Sequence, residues 1–317
     1  MRKRIPLMFA ALLGAASVAA APPATADGAP AIATYNTFIM SKNLYPNWGQ
    51  DLRADMIAED GLLSGQDVVV LQEAFDNAAS DRLIGDLSAE YPHATPVVGR
   101  SSSGWDATTG YRGGTSEDGG VAVLSRWPIV RAEQHIFADA CGGDWFSGKG
   151  FAYVELDTPA GPLHVVGTHL QSADDGCAGD LDVHVRWSQL DRIAAVLAEK
   201  EIPGDEPVYV AGDFNVIGGS DEYDSMIEQL GAVRPERTGA PYSFDPETNS
   251  IAGERYPGAA GEALDHVLPI ANGAAPASYT NETREVHSEP WTVTSWGKEY
   301  TYTDHSDHYP VFGGGAG

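Results

Sequence analysis

Six short runs rich in Val, Ile, Tyr and Thr, several ending on a polar or ionisable side chain, constrain this fold more than any other feature. Residues 31–38, 67–71, 120–125, 151–156, 163–170 and 207–211 are bounded by Gly, Pro, Asp or Ser and read as strands. Helical periodicity falls between them. Residues 184–201 set Trp187, Leu190, Ile193, Ala194 and Leu197 on one face, and 50–63, 77–90 and 221–230 are further helices. Strands that alternate with helices, plus strand pairs that no helix separates, predict an α/β sandwich with mixed sheets. No internal repeat, low-complexity linker or compositional break divides the mature chain, so residues 27–317 are expected to form one domain.

The polar residues that end these runs carry the chemistry. Asn36 closes Thr34-Tyr35-Asn36, Glu73 follows Val68-Val69-Val70-Leu71-Gln72, and His169 follows Val165-Val166-Gly167-Thr168. Asp213 and Asn215 end a fourth run, Asp265 sits in Ala263-Leu264-Asp265-His266, and Asp307-His308 precedes Tyr309-Pro310-Val311. Side chains at strand ends collect at one rim of a sheet, where open α/β folds bind ligands. Singly each signal is weak, since Gly-Asp-x-Asn after a strand is commonly a turn. Together they supply carboxylates, amides and two imidazoles, with no thiol and no serine nucleophile. Hard oxygen ligands suit Mg²⁺, Mn²⁺ or Ca²⁺ rather than zinc, and imidazole is the group suited to move a proton near neutral pH. These are the parts for metal-assisted attack of water on a phosphoester.

Nineteen Lys+Arg stand against 45 Asp+Glu, a formal charge of −26. Affinity for nucleic acid comes from cations that neutralise phosphates, so this balance argues against a DNA or RNA partner. Met1-Arg2-Lys3-Arg4, the apolar run 7–21 and Ala24-Thr25-Ala26 form a three-part export signal, with cleavage expected after Ala26. The protein is therefore expected to be secreted and extracellular. The only cysteines, Cys141 and Cys177, are expected to pair as one disulfide in that oxidising setting.

The ordered set Asn36, Gln72-Glu73, Thr168-His169-Leu170, Gly212-Asp213-Phe214-Asn215, Leu264-Asp265 and Ser306-Asp307-His308 resembles the endonuclease/exonuclease/phosphatase superfamily, over essentially the whole mature chain. Leu71-Gln72-Glu73-Ala74-Phe75-Asp76-Asn77, Ser116-Glu117-Asp118-Gly119-Gly120-Val121 and the Asp307-His308-Tyr309-Pro310-Val311 ending resemble the secreted bacterial neutral sphingomyelinases. The resemblance implies a DNase I-like four-layer α/β sandwich of two mixed sheets flanked by helices. It implies Mg²⁺ held by Glu73, with Asn36 beside it and Asp307 close by; Mn²⁺, Co²⁺ or Ca²⁺ are alternatives. His308 would be the general base and Asp265 its orienting carboxylate, with Asp213 and Asn215 positioning water and phosphate. His169 would stabilise developing charge or protonate the leaving alkoxide. A second, peripheral metal site would use the Phe75 carbonyl with Asn77, Glu117 and Asp118.

The implied reaction is hydrolysis of sphingomyelin to ceramide and phosphocholine, by a monomer in peripheral contact with a membrane. A phospholipase acting on phosphatidylcholine and, further off, a secreted nuclease are the alternatives. Residues 289–303 read as a hairpin with Ser295-Trp296-Gly297-Lys298 as its turn. Trp296 and Trp291 are the expected membrane contacts, because amphipathic aromatics favour the head-group zone. The competing expectation is that these aromatics pack on the protein. His266 stands where many relatives carry Tyr after the orienting Asp, and Gly297 where they carry a second aromatic.

Overall fold

The computed structural model describes residues 28–315; the expected export segment, with its cut before Asp27, lies outside the described residues. Among the described residues two large sheets lie face to face. One has seven strands, in the order Glu236–Gly239, Thr280–Thr283, Val311–Gly314, Ile32–Ile39, Val68–Ala74, Ala122–Ser125 and His93–Ala94. The other has six: Asp265–Pro269, Val208–Asp213, Gly161–His169, Gly150–Thr158, Ile129–Ile136 and Ala107–Thr109. Both are mixed. Ile32–Ile39 runs parallel to Val68–Ala74 and antiparallel to Val311–Gly314. Gly161–His169 runs parallel to Val208–Asp213 and antiparallel to Gly150–Thr158.

The two-residue period of a strand explains the layers. Val68 and Val70 pack between the sheets against Val154, Val165, Ala211 and Val267. Val69 and Leu71 join the opposite cluster, with Ile57 of the helix Gln50–Glu59 and Leu83 of the helix Asn77–Leu87. In the second sheet Val166, Val210 and Leu268 pack against Leu190 and Ile193 of Leu181–Glu199 and Met226 of Asp221–Leu230. Helix, sheet, sheet and helix therefore stack as four layers, the DNase I-like α/β sandwich. A strand buried on both faces needs a continuous apolar run, and Val68-Val69-Val70-Leu71 is one. Leu190 is fully buried, so trimming it to Ala costs about 2–5 kcal/mol.

Three helices end earlier than their periodicity suggests, Leu181–Glu199 by only two residues against the expected 184–201. The helix expected over 50–63 stops at Glu59, where Asp60 caps it and Gly61 takes the left-handed conformation at φ 65°, a backbone turn that favours glycine. The helix expected over 77–90 stops at Leu87.

The hairpin forms as Trp291–Ser295 paired with Lys298–Tyr302, Ser295 opposite Lys298. Its tip residues Trp296 and Gly297 both have positive φ, 53° and 78°, as a tight two-residue turn between twisted strands requires. One expectation is corrected here. Trp291 is only 7% exposed, packs with Phe38, Ile251 and Val293, and donates its indole N–H to the Asp304 carbonyl at 3.1 Å. It anchors the hairpin to the body and does not face lipid. Trp296, 77% exposed, stands free at the tip.

Candidate active site

The strand ends meet at one rim. Glu73, His169, Asp213, Asn215, Asp307 and His308 line a single cavity of ≈ 450 Å³, together with Lys149. Asn36 and Asp265 are buried and tie this set together: Asn36 Nδ2 donates to Asp213 at 3.0 Å, and Asp265 bonds His308 at 2.8 Å. Parallel pairing sets the register, with Asn36 opposite Gln72 in one sheet and His169 opposite Asp213 in the other. Glu73 and Asn215 both hold φ 52°, the left-handed region that costs a non-glycine residue free energy and is found where function fixes the backbone.

His308 presents its two nitrogens to different partners. Nδ1 lies 2.8 Å from Asp265 Oδ2, while Nε2 faces Asp213 Oδ2 at 3.9 Å. A carboxylate accepts, so Nδ1 carries the proton of that bond. Nε2 is left as the atom that can take a proton from elsewhere. Burial by itself would depress this imidazole. The Asp265 charge and hydrogen bond outweigh burial, Asp213 and Asp307 add to them, and the pKa is held up at about 10. That value belongs to a cavity in which the carboxylate charges are not neutralised.

Glu73 is the group whose surroundings call for a cation. Its Oε2 is covered and has no hydrogen-bond partner, a costly state for a carboxylate. Burial, reinforced by the negative charge of Asp307, pushes its pKa up to about 7, against the pull of His308, Lys149 and a hydrogen bond from Asn36. An orphaned buried carboxylate oxygen beside a second carboxylate fits a hard divalent ion. Asp213, Asp265 and His308 also bring ligand atoms within 4.8 Å of one another. There, however, the bond between His308 Nδ1 and Asp265 already uses the ring nitrogen nearest that carboxylate.

Lys149 is the site residue that sequence reasoning missed. Fully inside the protein, its ammonium reaches Asp144 Oδ2 at 2.9 Å, the Leu170 carbonyl at 2.9 Å and His169 Nε2 at 3.0 Å. An ammonium only donates, so His169 Nε2 accepts and its Nδ1 bears the hydrogen. Burial and then the Lys149 charge hold the His169 pKa well below the usual histidine value. His169 is neutral, and the proton-rich group beside it is Lys149. Asn215 is fixed in turn by its Nδ2 bond to the Leu170 carbonyl at 3.1 Å and its backbone N–H to Asp213 Oδ1 at 2.9 Å. His266, also in this region, points away from the cavity. It bonds the Val216 carbonyl at 2.9 Å, and burial lowers its pKa to about 4.

The residues expected to hold a second metal line a second cavity, Phe75, Asn77, Glu117 and Asp118, which shares Phe75 and Glu117 with the catalytic one. Asp118 is already engaged there. Arg100 Nε pairs with it at 2.9 Å and the Gly120 N–H donates to it at 2.9 Å. Glu117 is the carboxylate with more freedom, and burial raises its pKa. Asp76 between them caps the helix Asn77–Leu87 by accepting from Ala79 N–H. The disulfide Cys141–Cys177 is formed and ties the segment before the turn Gly142–Phe146 to the loop before the helix Leu181–Glu199.

Comparison with known proteins places this geometry. Sphingomyelinase C from Listeria ivanovii is 46% identical over 284 residues, covering 89% of this chain and 85% of the relative. The crystal structure of sphingomyelinase C from Streptomyces griseocarneus superposes with a TM-score of 0.89 at 55% identity, covering 91% of this chain and 99% of that one. A mutant beta toxin from Staphylococcus aureus, solved with bound magnesium ions, gives a TM-score of 0.89 at 39% identity, covering 91% and 100%. Residues 33–308 match the endonuclease/exonuclease/phosphatase family, and with these relatives the chain belongs to that family, in the branch that holds the bacterial sphingomyelinases.

Proposed function

We propose that this chain is a metal-dependent phosphodiesterase that hydrolyses sphingomyelin to ceramide and phosphocholine. The observation that carries the reading is the cavity itself: a carboxylate-bound imidazole, His308 on Asp265, opening onto the same space as the orphaned Glu73 carboxylate and Asp307. Glu73 and Asp307, with Asn36 beside them, would hold Mg²⁺, which supplies a Lewis acid for the phosphoryl oxygen and the leaving alkoxide. Mn²⁺, Co²⁺ or Ca²⁺ fit the same oxygen donors.

The chain's own residues do the rest. Asp265 keeps His308 in the tautomer with Nε2 toward the cavity, where it takes a proton from water as the water oxygen bonds phosphorus. Asp213 and Asn215 flank that position and orient the water. The P–O bond to the ceramide oxygen breaks on the opposite side, its electron pair stays on that oxygen, and the alkoxide takes its proton from solvent water. Lys149, the cation nearest His169, adds a positive charge to the lining of the cavity. Among the described residues none is placed as a nucleophile, so no covalent intermediate is expected.

Residues 27–317 are read as one catalytic domain, supported by a sheet that draws strands from Ile32 to Gly314. The protein is read as a secreted monomer that meets a zwitterionic membrane, with Trp296 as a contact and no nucleic-acid partner. The acid excess and the solvent-facing ring at the hairpin tip support that reading. The test offers sphingomyelin, phosphatidylcholine and plasmid DNA in parallel to purified protein, with Mg²⁺ and with EDTA. Phosphocholine released from sphingomyelin and abolished by EDTA is the expected result. Nicked plasmid with intact lipid overturns the proposal, and equal release from phosphatidylcholine removes its specificity.

A further inference from the structure

The rim of the catalytic cavity carries uncovered rings on a segment remote in sequence from the hairpin. Trp145 and Phe146, at the end of the turn Gly142–Phe146, are each 57% exposed, and Tyr111 is 86% exposed. Phe146 lines the cavity itself. The backbone that presents the rings is fastened on several sides. Ser116 and Glu117 N–H groups donate to the Phe146 carbonyl at 2.9 and 3.1 Å, the Gly143 N–H donates to Asp174 at 2.6 Å, and Cys141 is tied to Cys177. A surface already ordered loses little further entropy when something covers it.

Arg112 marks what would cover it. Its guanidinium stacks 4.9 Å from the Trp145 ring centre and donates from Nη2 to the Trp145 carbonyl at 2.5 Å. Among the described residues no carboxylate forms an ion pair with it. An unpaired cation beside Trp and Tyr complements the phosphate layer of a bilayer, where such rings are favoured. The acid excess of the whole chain disfavours a bilayer of net negative charge, which leaves a zwitterionic one.

We propose that Trp145, Phe146 and Tyr111, with Arg112 at their edge, form a membrane-contact surface that seats the cavity on a bilayer of choline phospholipid. The choice of lipid rests on the function proposed above; the surface itself is tested without turnover.

Tyr111→Ala/Trp145→Ala, two rings outside the lining of the catalytic cavity, is compared with the parent protein for sedimentation with sphingomyelin–phosphatidylcholine vesicles in EDTA, and for hydrolysis of p-nitrophenyl phosphocholine in Mg²⁺. Both rings are largely in solvent, so the melting temperature is expected to hold. Partitioning should fall about tenfold for each ring lost, since each forfeits the transfer free energy of an aromatic side chain. Turnover of the soluble ester should stay within about twofold, because neither ring is assigned to the chemistry. Unchanged partitioning overturns the proposal, as does an equal loss on the soluble ester, which would place the rings' effect inside the cavity. Loss of partitioning in EDTA supports the surface even where the parent releases no phosphocholine from sphingomyelin, an outcome that sinks the functional reading alone.

Discussion

Asn36 donates to Asp213 across 3.0 Å, and this one bond joins the strand ends of the two sheets directly at the cavity. Both side chains are buried, and Asp213 also faces His308 and His169. Removing the amide leaves a buried carboxylate short of a donor, at a cost of about 1–3 kcal/mol. Asn36→Ala should therefore lower the unfolding free energy by that amount, read as a lower urea midpoint. Asn36→Asp, which sets two carboxylates against each other, should lower it further. Equal midpoints for parent and both variants would refute a structural role for the bond.

Asp265 is the main charge that lifts His308, against a burial effect of opposite sign. In metal-free Asp265→Asn the main lifting partner is gone, and burial is opposed only by Asp213 and Asp307. The His308 pKa should then fall from about 10, as followed by the ring-proton resonances. Activity should fall about 10⁴-fold, the scale at which a mis-set tautomer costs a triad-like pair, while Mg²⁺ binding persists. A His308 titration that does not move would show that Asp265 does not govern it.

Much of this was legible before any coordinates. Val68 to Leu71 is apolar without a break and then meets Gln72 and Glu73, so both the buried strand and its reactive end are written in order. The same holds for Val165 to His169. Pairing order is not written locally, because Val311–Gly314 lies beside Ile32–Ile39 only after nearly the whole chain has folded. The strand Ile129–Ile136 carries Arg131, Glu133 and His135, which conceal its period until Lys200 and Glu155 supply partners. Lys149, flanked by Gly148 and Gly150, looks like a loop residue; Asp144 and His169 make it a buried cation. Trp291 departs from the membrane contact expected of it, for a reason its own strand carries. Trp291, Val293 and Ser295 alternate with Thr292 and Thr294, and a two-residue period sends the first set inward.

Glu73 makes metal binding depend on pH. With its pKa pushed up to about 7, the metal-free carboxyl holds a proton below that pH, and a divalent ion must displace it. Mg²⁺ affinity should fall about tenfold for each pH unit below about 7 and level off above. Calorimetric titrations from about pH 5.5 to 8 read this directly. Glu73→Gln should weaken binding and flatten the profile, whereas the same slope in that variant would assign the proton to another group.

The Cys141–Cys177 bridge spans 36 residues of separation and holds the turn beside the cavity. Cross-linking a loop of this length contributes roughly 3–4 kcal/mol through the unfolded chain. Cys141→Ser/Cys177→Ser should show that loss in denaturant melts while keeping the soluble-ester activity at low temperature, since neither sulfur lines the cavity.

Lys149 tests which group carries positive charge on this side of the cavity. Its ammonium touches Asp144, the Leu170 carbonyl and His169. Asp144 keeps the Ser172 N–H and hydroxyl at 2.8 and 3.1 Å when Lys149 is lost, so the acid is not stranded. Lys149→Met fills the same volume without the charge. After burial, the Lys149 charge is the next largest influence lowering His169, opposed by Asp213. The His169 pKa should therefore rise in the variant. If Lys149 supplies the charge that meets the phosphoryl group, turnover should fall about 10²–10³-fold, the usual loss for one preorganised donor. Raising or lowering pH should not restore it. Recovery at low pH, where His169 gains its own proton, would transfer that role from Lys149 to His169.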